Sequence, residues 1–474
     1  MYNELYETLS KHNQEHILRF WNELNVVQQD KLSGQIKNIN WDQLDELIKN
    51  YVIKKPETNI PEDLSPADYY PMVPKTEESK KLYIEAEKKG KELVSNSKIA
   101  AFTVAGGQGT RLGFDGPKGT YPITPIKEKT LFQYFAETIK RASEKYDAEI
   151  PWYIMTSKLN NEETVNFFKE NNYFNLSEKN VMFFQQGTMP AMDREGKVLL
   201  DEKDSLSLSP DGHGGSLLAL RKSGALNDMK KRGIKYISYF QVDNPLVSII
   251  NPLFFGLHLL TDSEMSAIML AKTNPYEKLG NFCVSEGKTM IIEYSDMPDE
   301  LVEKIDDEGN LSFISGSPAI HIVSVDFVEK LTADSVIDLP WHRADKKVSY
   351  VDDTGKRVDP NNVNAVKLES FIFDSLPMAD KTMILEAKRE NEFSPTKNKT
   401  GVDSVESCRK MLINYDCERL EKYAGVILPK DVDGNYDIMV ELSPLSFIDG
   451  EDIESSKQRL NKITFSRGKK VYIE

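Results

Sequence analysis

The chain has 474 residues and carries 60 Lys and Arg against 75 Asp and Glu, a formal net charge of −15 that argues against a nucleic-acid-binding protein. At about 150 residues per domain, this length predicts about three domains. Three cysteines at irregular spacing and no apolar run of roughly 18 to 20 residues predict a cytoplasmic protein without disulfides, targeting segment or membrane partner.

Residues 1–96 are predicted to form a helical N-terminal region. Apolar residues such as Ile17, Trp21 and Leu24 recur there at helical spacing. The stretch KKPETNIPEDLSPADYYPMVP carries five prolines, which fix φ and remove amide donors, so it predicts an extended strap. We expect this strap to cross the surface of a later domain.

Residues 97–376 are predicted to form a doubly wound α/β core with a mixed sheet. Short apolar runs such as IAAFTV and WYIMT alternate with amphipathic helices, and FCVSEGKTMIIEY predicts a hairpin that turns at Glu286 and Gly287. The run VKLESFIFDSL is interpreted as a helix that closes this core. Residues 377–474, with a long helix near Ser404–Tyr423, are predicted to form a smaller α+β domain.

The stretch VAGGQGTRLGFDGPKGTYPI is the most informative part of the sequence. Its glycines follow a buried strand, and they are Gly106, Gly107, Gly109, Gly113 and Gly116. Glycines after a strand let backbone amides approach an anion, and the two cations among them, Arg111 and Lys118, suit a polyphosphate. The spacing matches neither the dinucleotide fingerprint, which needs a glycine at Leu112, nor a P-loop, because Pro117 separates Gly116 from Lys118.

Asp243 ends the apolar run KYISYFQV. In an open α/β sheet ligands bind at the carboxyl ends of strands, and a carboxylate there can hold Mg²⁺ on a phosphate. An ordinary helix-capping Asp remains the alternative for this position.

GGQGTRLG followed by GPKG resembles the signature of the eukaryotic-type UTP:sugar-1-phosphate uridylyltransferases, and its Gln-Arg form is similar to that of the UDP-N-acetylglucosamine pyrophosphorylases. The resemblance continues through FFQQGTMPAM, SPDGHGG, VDN, the stretch Gly316–His321 and EFSPTKN. It implies a nucleotidyltransferase core, with UTP and a sugar-1-phosphate as substrates and a UDP-sugar and pyrophosphate as products. It also implies Mg²⁺ as cofactor, with Mn²⁺ as the alternative ion.

The resemblance also assigns roles to single residues. It places the loop Gly106–Gly113, including Thr110, against UTP, with Arg111 and Lys118 on the triphosphate as catalytic cations. Lys397 in EFSPTKN would reach the same phosphates. Gln186 and Gly212 would contact the uracil or its ribose.

Two positions depart from the resembled pattern. His213 and Ser317 stand where the N-acetylglucosamine enzymes commonly carry Asn, and both positions are expected to face the hexose. We therefore expect N-acetylglucosamine-1-phosphate to be used with a weaker preference than is usual. The alternatives are a UDP-glucose or broad-specificity pyrophosphorylase, a glycosyltransferase, which needs no cation pair for pyrophosphate, and a nucleotide-binding pseudoenzyme. The oligomeric state is not predicted.

Overall fold

The computed structural model describes residues 1–56, 60–334 and 337–474 of the chain. The α-helices in these ranges are α1 (Tyr2–Lys11), α2 (Val26–Lys37), α3 (Trp41–Leu47), α4 (Glu77–Ser95), α5 (Leu131–Tyr146), α6 (Asn161–Glu170), α7 (Gly215–Lys222), α8 (Ala225–Lys231), α9 (Pro252–Leu260), α10 (Asp299–Val302), α11 (Val325–Leu331), α12 (Arg389–Glu392), α13 (Val405–Arg419), α14 (Gly450–Ser455) and α15 (Lys457–Leu460).

The strands are short, and many of them belong to small two- or three-stranded sheets. In chain order they are β1 (Ser65–Pro66), β2 (Ile99–Val104), β3 (Trp152–Thr156), β4 (Val181–Gln185), β5 (Thr188–Pro190), β6 (Met192–Asp193), β7 (Leu200–Glu202), β8 (Ser205–Leu206), β9 (Leu208–Pro210), β10 (Tyr236–Gln241), β11 (Met265–Ala271), β12 (Gly280–Ser285), β13 (Lys288–Ile292), β14 (Ser315–Ser317), β15 (His321–Ser324), β16 (His342–Lys346), β17 (Tyr350–Val351), β18 (Arg357–Val358), β19 (Ala365–Glu369), β20 (Thr382–Ala387), β21 (Met439–Leu442) and β22 (Lys470–Ile473).

The chain folds into two compact units, each assembled from segments that are distant in sequence. The first unit comprises Met1–Ile60, Gln186–Ser216 and Asp338–Ser375, and the second comprises Pro61–Gln185, Leu217–Ile337 and Leu376–Glu474. The boundaries expected from the sequence, at 96/97 and 376/377, stay predictions.

The second unit is built on a large mixed sheet. Its strand order is β1-β12-β14-β11-β15-β10-β2-β3-β4, with β13 beside β12 and β20 beside β11. The strands β10, β2, β3 and β4 run parallel to one another, and every residue of β2 and β3 is buried. The predicted α/β class with a mixed sheet is confirmed, and the carboxyl ends of β2 and β10 lie side by side.

Local sequence accounts for the elements that carry this sheet. Thr130 caps α5, whose buried residues Leu131, Phe135 and Ile139 form the face predicted from their spacing. The predicted hairpin is formed by β12 and β13. Its turn residues Glu286 and Gly287 both have positive φ, 48° and 71°, as a tight two-residue turn requires.

In its described residues the predicted strap contains no helix, although a turn lies at residues 62–63. Ser65–Pro66 pairs with β12, and the Tyr70 N–H donates to the carbonyl of Ile384 at 2.8 Å. Residues 57–59 of the strap lie outside the described residues. The strap thus adds backbone to two strands of the large sheet.

The helix expected over VKLESFIFDSL is wrong. Residues Ala365–Glu369 form β19, which pairs with β16 and β6, and a short 3₁₀ segment begins at Ile372. Val366 and Leu368 alternate toward a buried cluster that also contains Trp21 and Trp41 of the N-terminal helices. Pairing with distant strands therefore outweighs the local helical pattern.

Candidate active site

The glycine loop that follows β2 is closed by its own backbone. The Gly109 N–H donates to the Gly116 carbonyl at 2.9 Å, and the Lys118 N–H donates to the Gly107 carbonyl at 3.1 Å. Gly113 has a φ of +72°, which favours glycine, and a Cβ on Gly109 would stand 2.7 Å from the Phe114 ring. The loop therefore has a fixed shape that its glycines require.

Two of the predicted binding positions lie open on this loop. Gly107 is exposed, and a Cβ built on it would meet no atom within 4 Å, while Thr110 is exposed at the start of a 3₁₀ turn. Gly106 is half-buried. The Asn160 side-chain amide holds the start of the loop by donating to the carbonyls of Ala105 and Gly107 at 2.9 and 3.2 Å. Sequence reasoning missed Asn160.

The structure brings Lys118 and Asp243 together. Val104 of β2 and Gln241 of β10 are paired, so the residues after both strands meet at one edge of the sheet. The Lys118 Nζ lies 3.2 Å from the Asp243 Oδ2, and the two side chains are only 9% and 19% exposed. The sequence predicted both residues but not their ion pair. Arg111 is exposed, and no ion pair joins it to another described residue.

The EFSPTKN segment is tied to Asp243 and Asn244 by hydrogen bonds. The Thr396 N–H donates to the Asp243 carbonyl at 2.8 Å. The Asn244 side chain donates to the Glu392 carbonyl at 2.7 Å and accepts from the Ser394 N–H at 2.9 Å. The backbone of this segment is therefore fixed beside Asp243.

Lys397 itself is directed to another partner. Its Nζ lies 3.6 Å from the Asp403 Oδ2, and its N–H donates to the Asp403 carbonyl at 2.7 Å. The side chain is 38% exposed. The structure thus brings the backbone next to Lys397 to the Lys118–Asp243 pair, while its ammonium group pairs with Asp403.

Glu392 is a buried carboxyl that sequence reasoning missed. It accepts from the backbone N–H of Ser248 at 3.0 Å and from its hydroxyl at 2.6 Å. Burial raises the pKa of Glu392 to about 7, although both Ser248 bonds act in the opposite direction. The sequence offers only a weak signal for a buried carboxyl here, an acidic residue directly before Phe-Ser-Pro, because the burial of Glu392 depends on the tertiary fold.

In the first unit, His213 belongs to an aromatic cluster with His342, Phe371 and Phe373. The His213 ring stacks on Phe371 at 5.1 Å between centroids, and His342 stacks on the same ring at 4.3 Å. The Ile372 N–H lies 3.1 Å from His213 Nδ1. Burial, with a smaller contribution from His342, lowers the pKa of His213 to about 4. The neutral ring accepts this bond at Nδ1, so its proton is on Nε2, which can donate.

Gly212 and Gln186 have clear structural settings in the same unit. Gly212 has a φ of +88°, and a Cβ there would stand 2.2 Å from the Ser370 carbonyl oxygen. No other residue type fits at position 212 unless the backbone at Ser370 moves. Gln186 is buried directly after β4.

Ser317, in the second unit, ends β14 and is half-buried. It stands opposite Gly280 of β12, and its hydroxyl accepts from the Ala319 N–H at 3.4 Å. This short side chain is occupied by its own turn. A longer amide side chain would extend further from the strand end.

The described residues contain no group of three or more His, Cys, Asp or Glu side chains placed to hold a metal ion. Within the same ranges, no helix is both long and apolar enough to cross a membrane.

The mixed α/β sheet of the second unit is a nucleotidyltransferase fold, as in the solved structures that match this chain. A model of the family described as UTP–glucose-1-phosphate uridylyltransferase matches residues 41–463. The chain belongs to this family, which confirms the resemblance found in the sequence.

Relatives and solved structures agree with this assignment. A probable UDP-N-acetylglucosamine pyrophosphorylase of Dictyostelium discoideum is 34% identical over 459 residues, which cover 93% of each chain. The structure of the UDP-N-acetylglucosamine pyrophosphorylase of Trypanosoma brucei matches 100% of this chain and 98% of that one, with a TM-score of 0.83 and 25% identity. A putative enzyme of the same name from Entamoeba histolytica matches 86% of this chain and 98% of its own, with a TM-score of 0.75 and 32% identity.

Proposed function

We propose that the chain is a UTP:N-acetylglucosamine-1-phosphate uridylyltransferase that forms UDP-N-acetylglucosamine and pyrophosphate. Relatives and structural neighbours that cover nearly the whole chain carry the corresponding name. The observation that carries the proposal is the Lys118–Asp243 pair, held at the ends of two neighbouring parallel strands beside a preformed glycine loop. We keep the cytoplasmic location as a prediction from the sequence.

The reaction needs positioning and charge neutralisation rather than a protein nucleophile. A phosphate oxygen of the sugar-1-phosphate attacks the α-phosphorus of UTP, and the bond to the β-phosphate breaks so that pyrophosphate leaves with its electron pair. Lys118 and Arg111 neutralise charge on the triphosphate in this proposal. Lys397 joins them when its ammonium group exchanges Asp403 for a phosphate.

Lys118 has to change partners for this role. In the structure its charge is compensated by Asp243, and a triphosphate would compete with that carboxylate. When Lys118 turns to phosphate, Asp243 becomes free to bind a cation. Phosphate binding by Lys118 and cation binding by Asp243 therefore favour each other, because each of the two side chains loses its counter-charge when the ion pair opens.

We propose Mg²⁺, or Mn²⁺, as the cofactor, held by Asp243. Among the described residues Asp243 belongs to no group of three or more His, Cys, Asp or Glu side chains placed to hold a metal. A single carboxylate of this kind fits Mg²⁺, which is usually bound by one or two carboxylates together with substrate phosphates. The bound ion would supply charge stabilisation at the α-phosphate. The residues present do not resemble a closed structural metal site.

A second candidate function exists for the choice of sugar substrate. His213 offers a neutral Nε2–H donor, and Ser317 is short, where two Asn side chains are usual in the resembled enzymes. These two replacements support a preference for the acetylated sugar that is weaker than in the enzymes with Asn at both positions. A broad-specificity UDP-sugar pyrophosphorylase is therefore the second candidate.

A pyrophosphate-release assay with UTP tests both candidates, the N-acetylglucosamine-1-phosphate uridylyltransferase and the broad-specificity pyrophosphorylase. We expect release with N-acetylglucosamine-1-phosphate, glucose-1-phosphate and galactose-1-phosphate, with the highest kcat/KM for the acetylated sugar phosphate. Activity on glucose-1-phosphate alone would overturn the proposed sugar, whereas UTP binding without release would indicate a pseudoenzyme. Lys88→Ala is the control for site variants, because Lys88 is exposed on α4, away from the carboxyl edge of the sheet.

A further inference from the structure

A cavity lies beside the glycine loop, within the second unit. It has a volume of about 710 Å³ and lies between α13, the segment 435–439 and residues 468–470 on one side and Leu112 and Tyr121 on the other. Lys118, Asp243 and Lys397 are not among its lining residues. Its volume is in the range of small-molecule sites.

The cavity combines an apolar floor with a cationic rim. Leu112, Val405, Ile413 and Met439 contribute to the floor. Five cations line it against two carboxylates, in a chain whose net charge is −15; the cations are Lys399, Arg409, Lys410, Lys469 and Lys470.

The four lysines of this rim lack protein partners. Among the described residues, no ion pair or side-chain hydrogen bond involves Lys399, Lys410, Lys469 or Lys470. Of the carboxylates, Asp437 already lies 3.5 Å from Arg467. Uncompensated positive charge beside an apolar surface is complementary to an anion that carries an apolar group.

Arg409 links this cavity to the glycine loop. It lines the cavity, and its guanidinium donates from Nε to the Ile123 carbonyl at 3.1 Å and from Nη2 to the Pro122 carbonyl at 2.9 Å. The Tyr121 N–H in turn donates to the Lys118 carbonyl at 3.0 Å. An anion that recruits Arg409 would therefore loosen the segment that directly follows Lys118.

We propose that this cavity is an effector site for a small organic anion with an apolar or aromatic body, and that its occupation raises the KM for UTP. Guanidinium groups bind carboxylate or phosphate more strongly than they bind neutral carbonyls, so such an anion competes with Pro122 and Ile123 for Arg409. The lysine rim supplies the remaining charge, and the floor selects an apolar body over a bare ion.

Binding is tested with 1-anilinonaphthalene-8-sulfonate, an aromatic sulfonate whose fluorescence reports binding, on the full chain in excess UTP. The double variant Lys469→Ala/Lys470→Ala should bind the dye about tenfold more weakly than the parent. The matched control Lys457→Ala/Lys462→Ala removes the same charge from exposed positions outside the cavity and should bind like the parent. Equal affinity in all three proteins would overturn the site. Complete displacement of the dye by UTP would overturn it too, because coupling between two separate sites weakens dye binding only by a limited factor of about three- to tenfold.

Competition with inorganic sulfate distinguishes the contribution of the negative charge to binding from that of the apolar body. We expect sulfate to displace the dye only at concentrations at least about tenfold higher, because it cannot cover the floor. Displacement by sulfate at equal concentration would contradict the apolar part of the proposal.

The coupling is tested by pyrophosphate release at varied UTP. Near-saturating dye should raise the KM for UTP by about three- to tenfold in the parent and in the control variant, but not in Lys469→Ala/Lys470→Ala. An unchanged KM in the parent would overturn the link through Arg409. An inactive parent that still binds the dye at this rim would count against the proposed function rather than against the site.

Discussion

The Lys118–Asp243 cluster in the second unit and the His213 cluster in the first unit both hold polar groups in shielded positions. Around Asp243, full charges face each other, and side-chain and backbone hydrogen bonds from Asn244 and Thr396 fix the chain. Around His213, the polar group is a neutral imidazole positioned by stacked rings and one backbone N–H.

The difference determines how costly a substitution is in each cluster. A charge in a shielded position requires a matched partner, so replacing either member leaves the other uncompensated. A neutral donor on an aromatic stack can be exchanged for another neutral donor at small cost. Of the two positions where this sequence departs from the pattern of the family it resembles, His213 lies in the neutral cluster and Ser317 lies in neither cluster.

Metal removal should have the largest effect on the charged cluster. Excess chelator should abolish pyrophosphate release, and Asp243→Asn should lower kcat strongly, since an amide is a poorer Mg²⁺ ligand and leaves Lys118 unpaired. Added Mg²⁺ or Mn²⁺ should restore the parent enzyme. Full activity in chelator would show that no divalent cation takes part.

Removal of the cationic side chains Lys118 and Arg111 should have the second-largest effect on activity. Lys118→Ala and Arg111→Ala should each lower kcat/KM for UTP by about 10²- to 10³-fold, because a preorganised charge on the phosphates is lost. Circular dichroism should show an unchanged fold, and Lys88→Ala should behave like the parent. Parental turnover in both variants would refute the phosphate assignment.

Asn244→Ala tests whether backbone ties hold the charged cluster. It leaves the Glu392 carbonyl and the Ser394 N–H without partners, which should lower the free energy of unfolding by about 2 to 4 kcal/mol. Denaturant unfolding measures this change. Asn171→Ala, which removes an exposed amide bonded to the Phe167 carbonyl, should change stability by less than about 0.5 kcal/mol.

Glu392 gives the cluster a pH dependence. Its folded-state pKa of about 7 lies above the ordinary 4.5, so the folded protein holds a proton that the unfolded chain releases between these values. The stability contribution is therefore present below about pH 4.5 and is lost as pH rises to about 7, by up to about 3 kcal/mol. Unfolding curves of Glu392→Gln should lack this loss, whereas Glu454→Gln, at an exposed position, should keep it.

Substitution at Ser317 should give the smallest effect. Ser317→Asn should raise the preference for N-acetylglucosamine-1-phosphate over glucose-1-phosphate by about two- to tenfold, the contribution of one added hydrogen bond. The ratio of kcat/KM values measures it, with exposed Ser295→Asn as control. A lowered ratio would contradict the placement of Ser317 against the hexose.

Local patterns predicted the elements that depend on nearby residues. The buried strand before GGQG, the amphipathic face of α5 and the turn at Glu286–Gly287 all follow from periodicity and turn chemistry. The place of Asp243 followed from its position at a strand end. Whether this aspartate binds metal stays a prediction.

Features that depend on distant segments were not predictable. VKLESFIFDSL has a helical apolar pattern, but its strand conformation is imposed by pairing with β16 and β6. The rings of His342, Phe371 and Phe373 around His213 come from segments more than 120 residues later in the chain. Burial of Glu392 likewise needs the turn at Ser248.

The strap also affects how the large sheet ends. β1 is the terminal strand beyond β12, and one of its two residues is Pro66, which has no N–H to offer a further strand. A short edge strand that contains proline is a poor template for pairing with another chain. The proline-rich strap thus makes this border of the sheet a poor site for pairing with a strand of another molecule.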